Sequence, residues 1–356
     1  MKKTVNSQFH FHNMIVRKDK ILRTHITNIY GQSSSSTAMI AQNMVTEVAK
    51  SLGFNEIGIY SYPIHTDTPQ EIRKRIDGML AGVSAHDVVI VQLPSWNGIE
   101  FDELFINKLL SYPGIKIAVF IHDVVPLMFE NNYYLMQRSI NLYNKAVTLI
   151  VPSKAMANRL KSEGLVMDHI VIQQLWDHVT SLMPAAPKFE PLINFAGSVT
   201  RFPFVKSWHN DTKLQVFSQY DEKNLNERVS YQGWLPDNEI LRHLNRGFGL
   251  VWSENTKNQF EREYSKINLS YKLSTYLASG LPVIVNQGIS NQKFIEDNNI
   301  GIVVPSLSEV DQRIKNITKA QYNDMAENVK RVGYLIRQGY FTKKILIDTM
   351  HQILSY

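Results

Sequence analysis

Residues 270–285 read Ser270-Tyr271-Lys272-Leu273-Ser274-Thr275-Tyr276-Leu277-Ala278-Ser279-Gly280-Leu281-Pro282-Val283-Ile284-Val285. The first ten have helical spacing, Gly280 marks a turn, and an apolar β-branched run begins at Pro282. The apolar face of the predicted helix is made by Leu273, Tyr276 and Leu277. This spacing puts Ser274 and Thr275 nearer the polar side. A helix, a turn and a buried strand in this order are typical of an α/β protein with a parallel sheet.

The start of this helix is a candidate anion site. A helix N-terminus presents unpaired N–H groups and the positive end of a dipole, which together favour a phosphate. Ser270 is placed to cap the helix, and Lys272 adds a cation in its first turn. On spacing alone, a solvated lysine on a packing helix explains Lys272 equally well.

Strands and helices alternate in two series on either side of a proline-rich joint. The first series has predicted strands at 24–29, 56–60, 87–93, 116–121 and 149–152, and helices at 37–52, 69–83 and 154–162. The second has strands at 192–196, 214–218, 229–232, 248–251, 282–285 and 301–304, a helix at 290–297 and a helical tail from 319. Such alternation predicts two parallel, doubly wound sheets. Ligands in such sheets bind outside the carboxyl ends of the strands.

The domain organisation follows from these two series. Residues 1–23 form an N-terminal extension, 24–180 a Rossmann-like first domain and 192–335 a Rossmann-like second domain, with a linker at 177–191. We expect the last helix, 336–356, to pack back on the first domain.

Composition narrows the class of protein. The chain has 356 residues, 44% of them hydrophobic, with a net charge of +6 and no cysteine. Disulfides and cysteine metal sites are therefore excluded, and without a signal-like or membrane-spanning run we expect a cytoplasmic protein. The basic residues are scattered and no nucleic-acid-binding motif accompanies them, so we expect an anionic small ligand rather than nucleic acid. The positive charge also allows peripheral association with an anionic membrane.

A loop after the first strand is a second candidate ligand site. Gly31 permits close backbone approach, and Ser36 and Thr37 stand where a helix N-terminus donates N–H groups. The segment is neither a Walker A motif nor a G-x-G-x-x-G fingerprint. A flexible, capped loop explains the same residues.

Polar residues directly after predicted strands complete the set of candidates. Arg201 follows strand 192–196 and would clamp a diphosphate together with Lys272, although a surface ion pair is the alternative. His122 and Asp123 follow strand 116–121, where they would act as acid or base, or orient an acceptor. Equally, Asp123 would cap a helix near Pro126, with His122 a satisfied core residue.

Two aromatic–polar clusters are typical of sites that bind sugars. The clusters are Trp252-Ser253-Glu254 and Trp176-Asp177-His178. An indole covers the apolar face of a sugar ring while its neighbours bond the hydroxyls.

The Asp-x-Asp pair typical of metal-dependent sugar transfer occurs nowhere in the sequence. We therefore expect no metal site and no cofactor.

Four separated segments resemble one family of GT-B glycosyltransferases. They are residues 26–33, 120–129, 270–285 and 288–292. The family extends O-linked N-acetylglucosamine (GlcNAc) on serine-rich-repeat adhesins of streptococci and lactobacilli. The resemblance implies a cytoplasmic, homotetrameric enzyme with the GT-B fold. Its co-substrate would be a UDP-sugar, commonly UDP-glucose, and its acceptor a GlcNAc-modified Ser or Thr of the adhesin polypeptide.

The resemblance also assigns roles to residues. It implies that Thr37, Arg201 and Lys272 contact the UDP diphosphate and that the loop from Gly31 borders the acceptor. At Thr275 the chain departs from the pattern, because many GT-B enzymes have a glutamate there for the ribose. The full predicted donor site is Gly31, Ser36, Thr37, Arg201, Trp252, Ser270, Tyr271, Lys272, Thr275 and Asn291, with His122 and Asp123 as catalytic candidates.

The sequence thus predicts a metal-independent transferase that moves a hexose, glucose or GlcNAc, from a UDP-sugar onto GlcNAc-modified Ser/Thr. Two alternatives stay open: a UDP-sugar epimerase of the same architecture, and a non-catalytic helper subunit that binds glycosylated adhesin.

Overall fold

The computed structural model of the chain describes residues 22–219, 226–253 and 259–355, so nearly all of the predicted extension lies outside the described residues. The strands are β1 Thr24–Tyr30, β2 Asn55–Tyr60, β3 Val88–Leu93, β4 Lys116–Ile121, β5 Thr148–Val151, β6 Ile170–Ile172, β7 Lys188–Ala196, β8 Lys213–Phe217, β9 Val229–Tyr231, β10 Arg246–Val251, β11 Val283–Asn286 and β12 Gly301–Val304. The helices are α1 Thr37–Ser51, α2 Pro69–Met79, α3 Ile99–Leu110, α4 Val125–Met128, α5 Met136–Tyr143, α6 Lys154–Ser162, α7 Asp237–His243, α8 Gln259–Ile267, α9 Tyr271–Ser279, α10 Gln292–Asp297, α11 Val310–Asn316, α12 Lys319–Arg337 and α13 Tyr340–Leu354.

The strands form two parallel six-stranded sheets, as the alternating pattern predicts. The order is β2-β1-β3-β4-β5-β6 in the first sheet and β12-β11-β10-β7-β8-β9 in the second. Every residue of β3 and of β11 is buried, because helices cover both faces of these apolar strands. The structure therefore confirms an α/β protein with two doubly wound sheets.

Strand order determines where a ligand site can form. The order reverses next to β1 in the first sheet and between β7 and β10 in the second. At such a point the loops leave in opposite directions and open a crevice at the carboxyl ends of the strands. The segments after β1, β4, β7, β10 and β11 carry the candidate residues predicted from the sequence.

Two segments from the second half of the chain pack on the first sheet. Helix α13 lies against α1, β5 and β6, and Lys116 on β4 donates from Nζ to the carbonyl of Ile353 at 2.7 Å. Helix α8 lies against α4 and α6, and Tyr264 packs into the hydrophobic core of the first domain. The linker, α8 and α13 are therefore among the segments that hold the two halves together.

The structure corrects two details of the sequence reading. Ser274 and Thr275 are buried rather than on a polar face, because α12 and the linker cover the side of α9 that faces away from the sheet. The Ser274 hydroxyl accordingly donates to the carbonyl of Trp176 at 2.6 Å. In addition, β7 begins at Lys188, so the last four residues predicted as linker belong to a strand.

Across the described ranges, none of the helices combines the length and the apolar composition that a membrane span requires.

Candidate active site

A cleft of about 1020 Å³ lies between the two domains at the carboxyl ends of their strands. Ten of the twelve predicted site residues line it: Thr37, His122, Asp123, Arg201, Trp252, Ser270, Tyr271, Lys272, Thr275 and Asn291. They come from loops and helix starts that follow β1, β4, β7, β10 and β11 and are far apart in sequence. The topology alone brings them together.

Gly31 and Ser36 are not among the residues that line this cleft, and each has a local structural role. Gly31 has a φ of +82°, which strains any residue with a side chain, and a Cβ there would also lie 2.6 Å from the Tyr60 ring. The Ser36 hydroxyl caps α1 by accepting from the N–H of Met39 at 3.3 Å, and it donates to Gln32 Oε1 at 2.6 Å. The loop still reaches the cleft through Ser35 and Thr37.

Arg201 and Lys272 share one aromatic ring. The Lys272 ammonium lies 4.5 Å from the centroid of Phe202, and the Arg201 guanidinium carbon lies 5.5 Å from it. In the part of the chain that the structure describes, neither cation has a carboxylate at ion-pair distance. The surface ion pair considered for Arg201 is therefore absent from the described residues, and both cations remain available to an anion.

Burial and the neighbouring cation perturb Lys272. Desolvation, and then the positive charge of Arg201, lower the pKa of its ammonium to about 8. Two cations held this close repel one another, and a bound anion relieves that repulsion. The pair therefore has the electrostatics of an anion site.

The N-terminus of α9 adds to this site. Ser270 occupies the N-cap position with extended backbone angles, but its side chain makes no capping hydrogen bond, so the predicted cap is wrong in that respect. The first-turn N–H groups, next to Lys272, are thus not satisfied by a Ser270 side-chain cap. Such groups favour an anion through hydrogen bonds and the helix dipole.

Asp123 joins the two domains across the cleft. Its Oδ1 accepts from the Tyr264 hydroxyl at 2.8 Å and from Asn268 Nδ2 at 2.9 Å. The Tyr264 hydroxyl also accepts from the N–H of Val124 at 3.0 Å. Asp123 does not cap α4, whose N-cap is Val124. Burial raises the pKa of its carboxyl to about 6, against the opposing effect of the Tyr264 hydrogen bond.

His122 is buried and neutral. Its Nε2 lies 2.8 Å from Gln92 Oε1, and its ring packs between Phe120 and Trp176. Burial lowers the pKa of the imidazole to about 3. If Nε2 carries the proton that Gln92 accepts, Nδ1 is a hydrogen-bond acceptor, and Nδ1 has no partner among the described residues. His122 thus lines the cleft and keeps one ring nitrogen without a partner in the described part of the chain.

Trp252 and Asn291 line the cleft from the second domain. Trp252 is 3% exposed and belongs to the hydrophobic core on one face of the second sheet. Asn291 is 8% exposed, and its Nδ2 donor has no partner in the described part of the chain. A buried amide donor without a partner is costly unless a ligand completes it.

Sequence reasoning missed several polar residues of the cleft, among them Asp237, Tyr264 and Asn268. Asp237 opens α7 and lies near His178 and Tyr271. An acidic residue at a helix start is ordinary, and α8 contacts the first domain only through tertiary packing. No local signal therefore pointed to them. Within the described ranges, no three His, Asp or Glu side chains are grouped to hold a metal ion.

Comparison with known proteins assigns the chain to a family. The model of the Glucosyltransferase 3-like N-terminal domain matches residues 23–175, and that of the C-terminal domain matches residues 193–349. The chain is 46% identical to Glucosyltransferase 3 of Streptococcus gordonii over 335 residues, covering 94% of this chain and 100% of that protein.

Solved structures show the same architecture at low sequence identity. Sucrose-phosphate synthase from Thermosynechococcus elongatus superposes with a TM-score of 0.65 and 11% identity, over 94% of this chain and 100% of that one. Anabaena HepE, solved in complex with UDP and glucose, has a TM-score of 0.59 and 10% identity, over the same shares. With both family models matched, the chain is a glycosyltransferase of GT-B fold and belongs to the Glucosyltransferase 3-like family.

Proposed function

We propose that the protein transfers a hexose, glucose in the first place and GlcNAc as the alternative, from a UDP-sugar to GlcNAc-modified Ser/Thr of a serine-rich polypeptide. The UDP-sugar part of this proposal is carried by one observation, the pair Arg201 and Lys272. These two cations have no carboxylate partner among the described residues and lie beside the N-terminus of α9. A diphosphate is the ligand such a site suits, since Arg binds it as a fork and Lys as a point charge. HepE, which was solved in complex with UDP and glucose, agrees with this donor class.

The acceptor part of this proposal rests on the family resemblance. The streptococcal relative is named a glucosyltransferase, which supports glucose as the first donor to test. A serine-rich loop, residues 32–36, follows β1 of the first domain, and its Ser35 lines the cleft. In this proposal the loop borders the acceptor.

The proposed reaction breaks the bond between the anomeric carbon and the β-phosphate oxygen, and the bonding electrons leave with UDP. Arg201, Lys272 and the N–H groups of α9 stabilise the charge that grows on the diphosphate as this bond lengthens. The acceptor hydroxyl oxygen forms the new bond to the anomeric carbon and loses its proton.

Asp123 is the better candidate to receive that proton. A group whose pKa is about 6 is ionised at neutral pH and still basic enough to assist, whereas an imidazole with a pKa of about 3 is a weak base. His122, with its acceptor nitrogen, instead orients a sugar hydroxyl. Asn291 offers the complementary donor from the other wall.

The direct experiment presents a panel of UDP-sugars to a synthetic GlcNAc-Ser/Thr glycopeptide, with a chelator present, and reads the product by mass spectrometry. A gain of one hexose, or of one N-acetylhexosamine, identifies the sugar class and supports metal independence. UDP binding without any gain would favour the epimerase or the helper subunit. No UDP binding at all would contradict the donor site itself.

We further propose that the enzyme works in the cytoplasm as a homotetramer, as the resemblance implies. Light scattering on the purified protein tests the assembly, because a tetramer has four times the 41.0 kDa mass of the chain. A mass near that of a single chain would contradict it.

A further inference from the structure

The Thr275 hydroxyl already has partners within the protein. It lies one turn beyond Lys272 on α9, lines the cleft and is 5% exposed. Its Oγ1 donates to the carbonyl of Tyr271 at 3.3 Å and lies 3.3 Å from Nδ1 of His178. The hydroxyl proton is thus used within α9, and the oxygen keeps only acceptor capacity next to His178, so a carboxylate for a ligand group at this place has to come from another residue.

Asp237 supplies a carboxylate at this place. It is the first residue of α7, it lines the cleft, and its side chain is 36% exposed. The Tyr271 hydroxyl bonds to it, and Nε2 of His178 lies 3.4 Å from its Oδ2. Tyr271 and Lys272 are consecutive on the first turn of α9, so one chain segment links the carboxylate to the cationic pair.

The carboxylate lacks strong partners. No Lys or Arg of the described residues pairs with it, and burial raises its pKa more than the neighbouring His178 lowers it. His178 is 1% exposed, its own pKa is lowered by burial, and its Nε2 has no hydrogen-bond partner within the described ranges. A largely neutral imidazole cannot balance the negative charge. Asp237 therefore keeps acceptor capacity for hydroxyl groups of a ligand.

The order of groups in a nucleotide identifies those hydroxyls. In a nucleoside diphosphate the group joined to the diphosphate is the ribose, whose adjacent hydroxyls are two hydrogen-bond donors. A carboxylate is the usual protein partner of ribose hydroxyls in nucleotide sites. The same loop also places Trp234, whose side chain is 43% exposed, at the cleft, where it offers an apolar surface for the base.

We propose that Asp237 is the ribose-binding residue of this enzyme and takes the place of the carboxylate that Thr275 lacks. The inference rests on the proposed UDP-sugar donor and adds a residue that selects the ribose. It also implies rejection of a nucleotide with a 2′-phosphate, because that group would face a carboxylate.

The test measures binding of UDP, 2′-deoxy-UDP and 3′-deoxy-UDP by calorimetry to the wild type, Asp237→Ala and Glu239→Ala. Glu239 is an exposed acid on the same helix that does not line the cleft, so it controls for lost charge. We expect the wild type to bind UDP at least about tenfold more tightly than one deoxy analogue. Asp237→Ala should reduce that preference to about threefold or less, and Glu239→Ala should keep it.

Two results would overturn the inference while the donor proposal stands: equal wild-type affinity for all three nucleotides, or a folded Asp237→Ala protein that keeps the full preference. Thermal melting shows whether the Asp237→Ala protein is folded. The comparison of the three nucleotides on the wild type tests the inference even if that variant does not fold. Failure of the wild type to bind UDP would instead overturn the donor proposal and the inference together.

Discussion

Gly197 leaves room for the side chain of Lys272: a Cβ built on Gly197 would lie 2.8 Å from Lys272 Cε. Gly197 follows β7 directly, and Lys272 belongs to the first turn of α9. The lysine stem thus crosses the end of the strand so closely that a Cβ on Gly197 would displace it, and its ammonium lies over the ring of Phe202. The position of the cation depends on a residue that carries no side chain.

The first prediction concerns this glycine. Gly197→Ala should push the lysine stem aside and weaken UDP binding by about tenfold, because the ammonium can no longer reach the same point. The backbone of Gly197 has no positive φ in the structure, so the stability loss should stay below about 1 kcal/mol. Calorimetry with UDP and thermal melting measure the two effects.

Gly82→Ala is the matched control, since a Cβ there would meet nothing within 4 Å. It should leave UDP affinity unchanged. If Gly197→Ala also binds UDP like the wild type, then the close approach at Gly197 does not position the lysine.

The second prediction concerns the two cations of the anion site and the pH dependence of UDP binding. Lys272→Ala and Arg201→Ala should each abolish transfer, by about 10²-fold or more, while the melting temperature stays close to that of the wild type. In the free protein the pKa of Lys272 is about 8. The cation is the binding form, so UDP affinity should fall as the pH rises through that value.

Lys272→Arg is the control for the pH effect, because a guanidinium stays charged throughout this range. In this variant the UDP affinity should not show the fall near pH 8 that is expected of the wild type. The pH dependence that remains should come from titration of the nucleotide. An identical pH profile in wild type and Lys272→Arg would contradict the assignment.

Much of this site was predictable because it lies at strand ends. Apolar β-branched runs such as β4 and β11 identify buried parallel strands, and the residues after them must then lie at one edge of a sheet. Arg201 and Asp123 were found in this way, whereas Lys272 was found from the predicted helix start that precedes β11.

The missed residues depend on tertiary packing. Asp237 stands at an ordinary acidic helix start, and Tyr264 lies in a segment where the sequence pattern predicted neither a helix nor a strand. Nothing local shows that α8 packs on the opposite domain. The burial of Thr275 has the same origin, since the linker and α12 that cover it are distant in sequence.

The third prediction tests the proposed role of Asp123 as the proton acceptor. Its carboxyl has a pKa of about 6, and the ionised form is the base. The value of kcat/KM should therefore fall about tenfold for each pH unit below that pKa. Asp123→Asn should lower kcat by about 10²-fold or more and remove this acidic limb.

His122 provides the contrast within the same strand end. Its pKa of about 3 means that it stays neutral over the whole range, so His122→Asn should lower kcat/KM without changing the shape of the pH profile. A limb near pH 6 that survives in Asp123→Asn but disappears in His122→Asn would reverse the two assignments.

The fourth prediction concerns the contact between the domains. Tyr264→Phe keeps the ring in the core of the first domain but removes the hydroxyl that binds Asp123 and the N–H of Val124. The loss leaves a buried N–H without its acceptor, so the free energy of unfolding should fall by about 1–3 kcal/mol. Urea denaturation measures this loss. Tyr133→Phe is the control, because that hydroxyl binds Glu163 on the surface and should be worth less than about 1 kcal/mol.

The same substitution should also change the pH profile, and this separates a specific role of Tyr264 from a merely structural one. The Tyr264 hydrogen bond lowers the pKa of Asp123, so its removal should raise that pKa above about 6. The acidic limb of kcat/KM should then move to higher pH in Tyr264→Phe and stay in place in Tyr133→Phe. A Tyr264→Phe protein with lower stability but an unmoved limb would show that Tyr264 joins the domains without tuning the carboxylate.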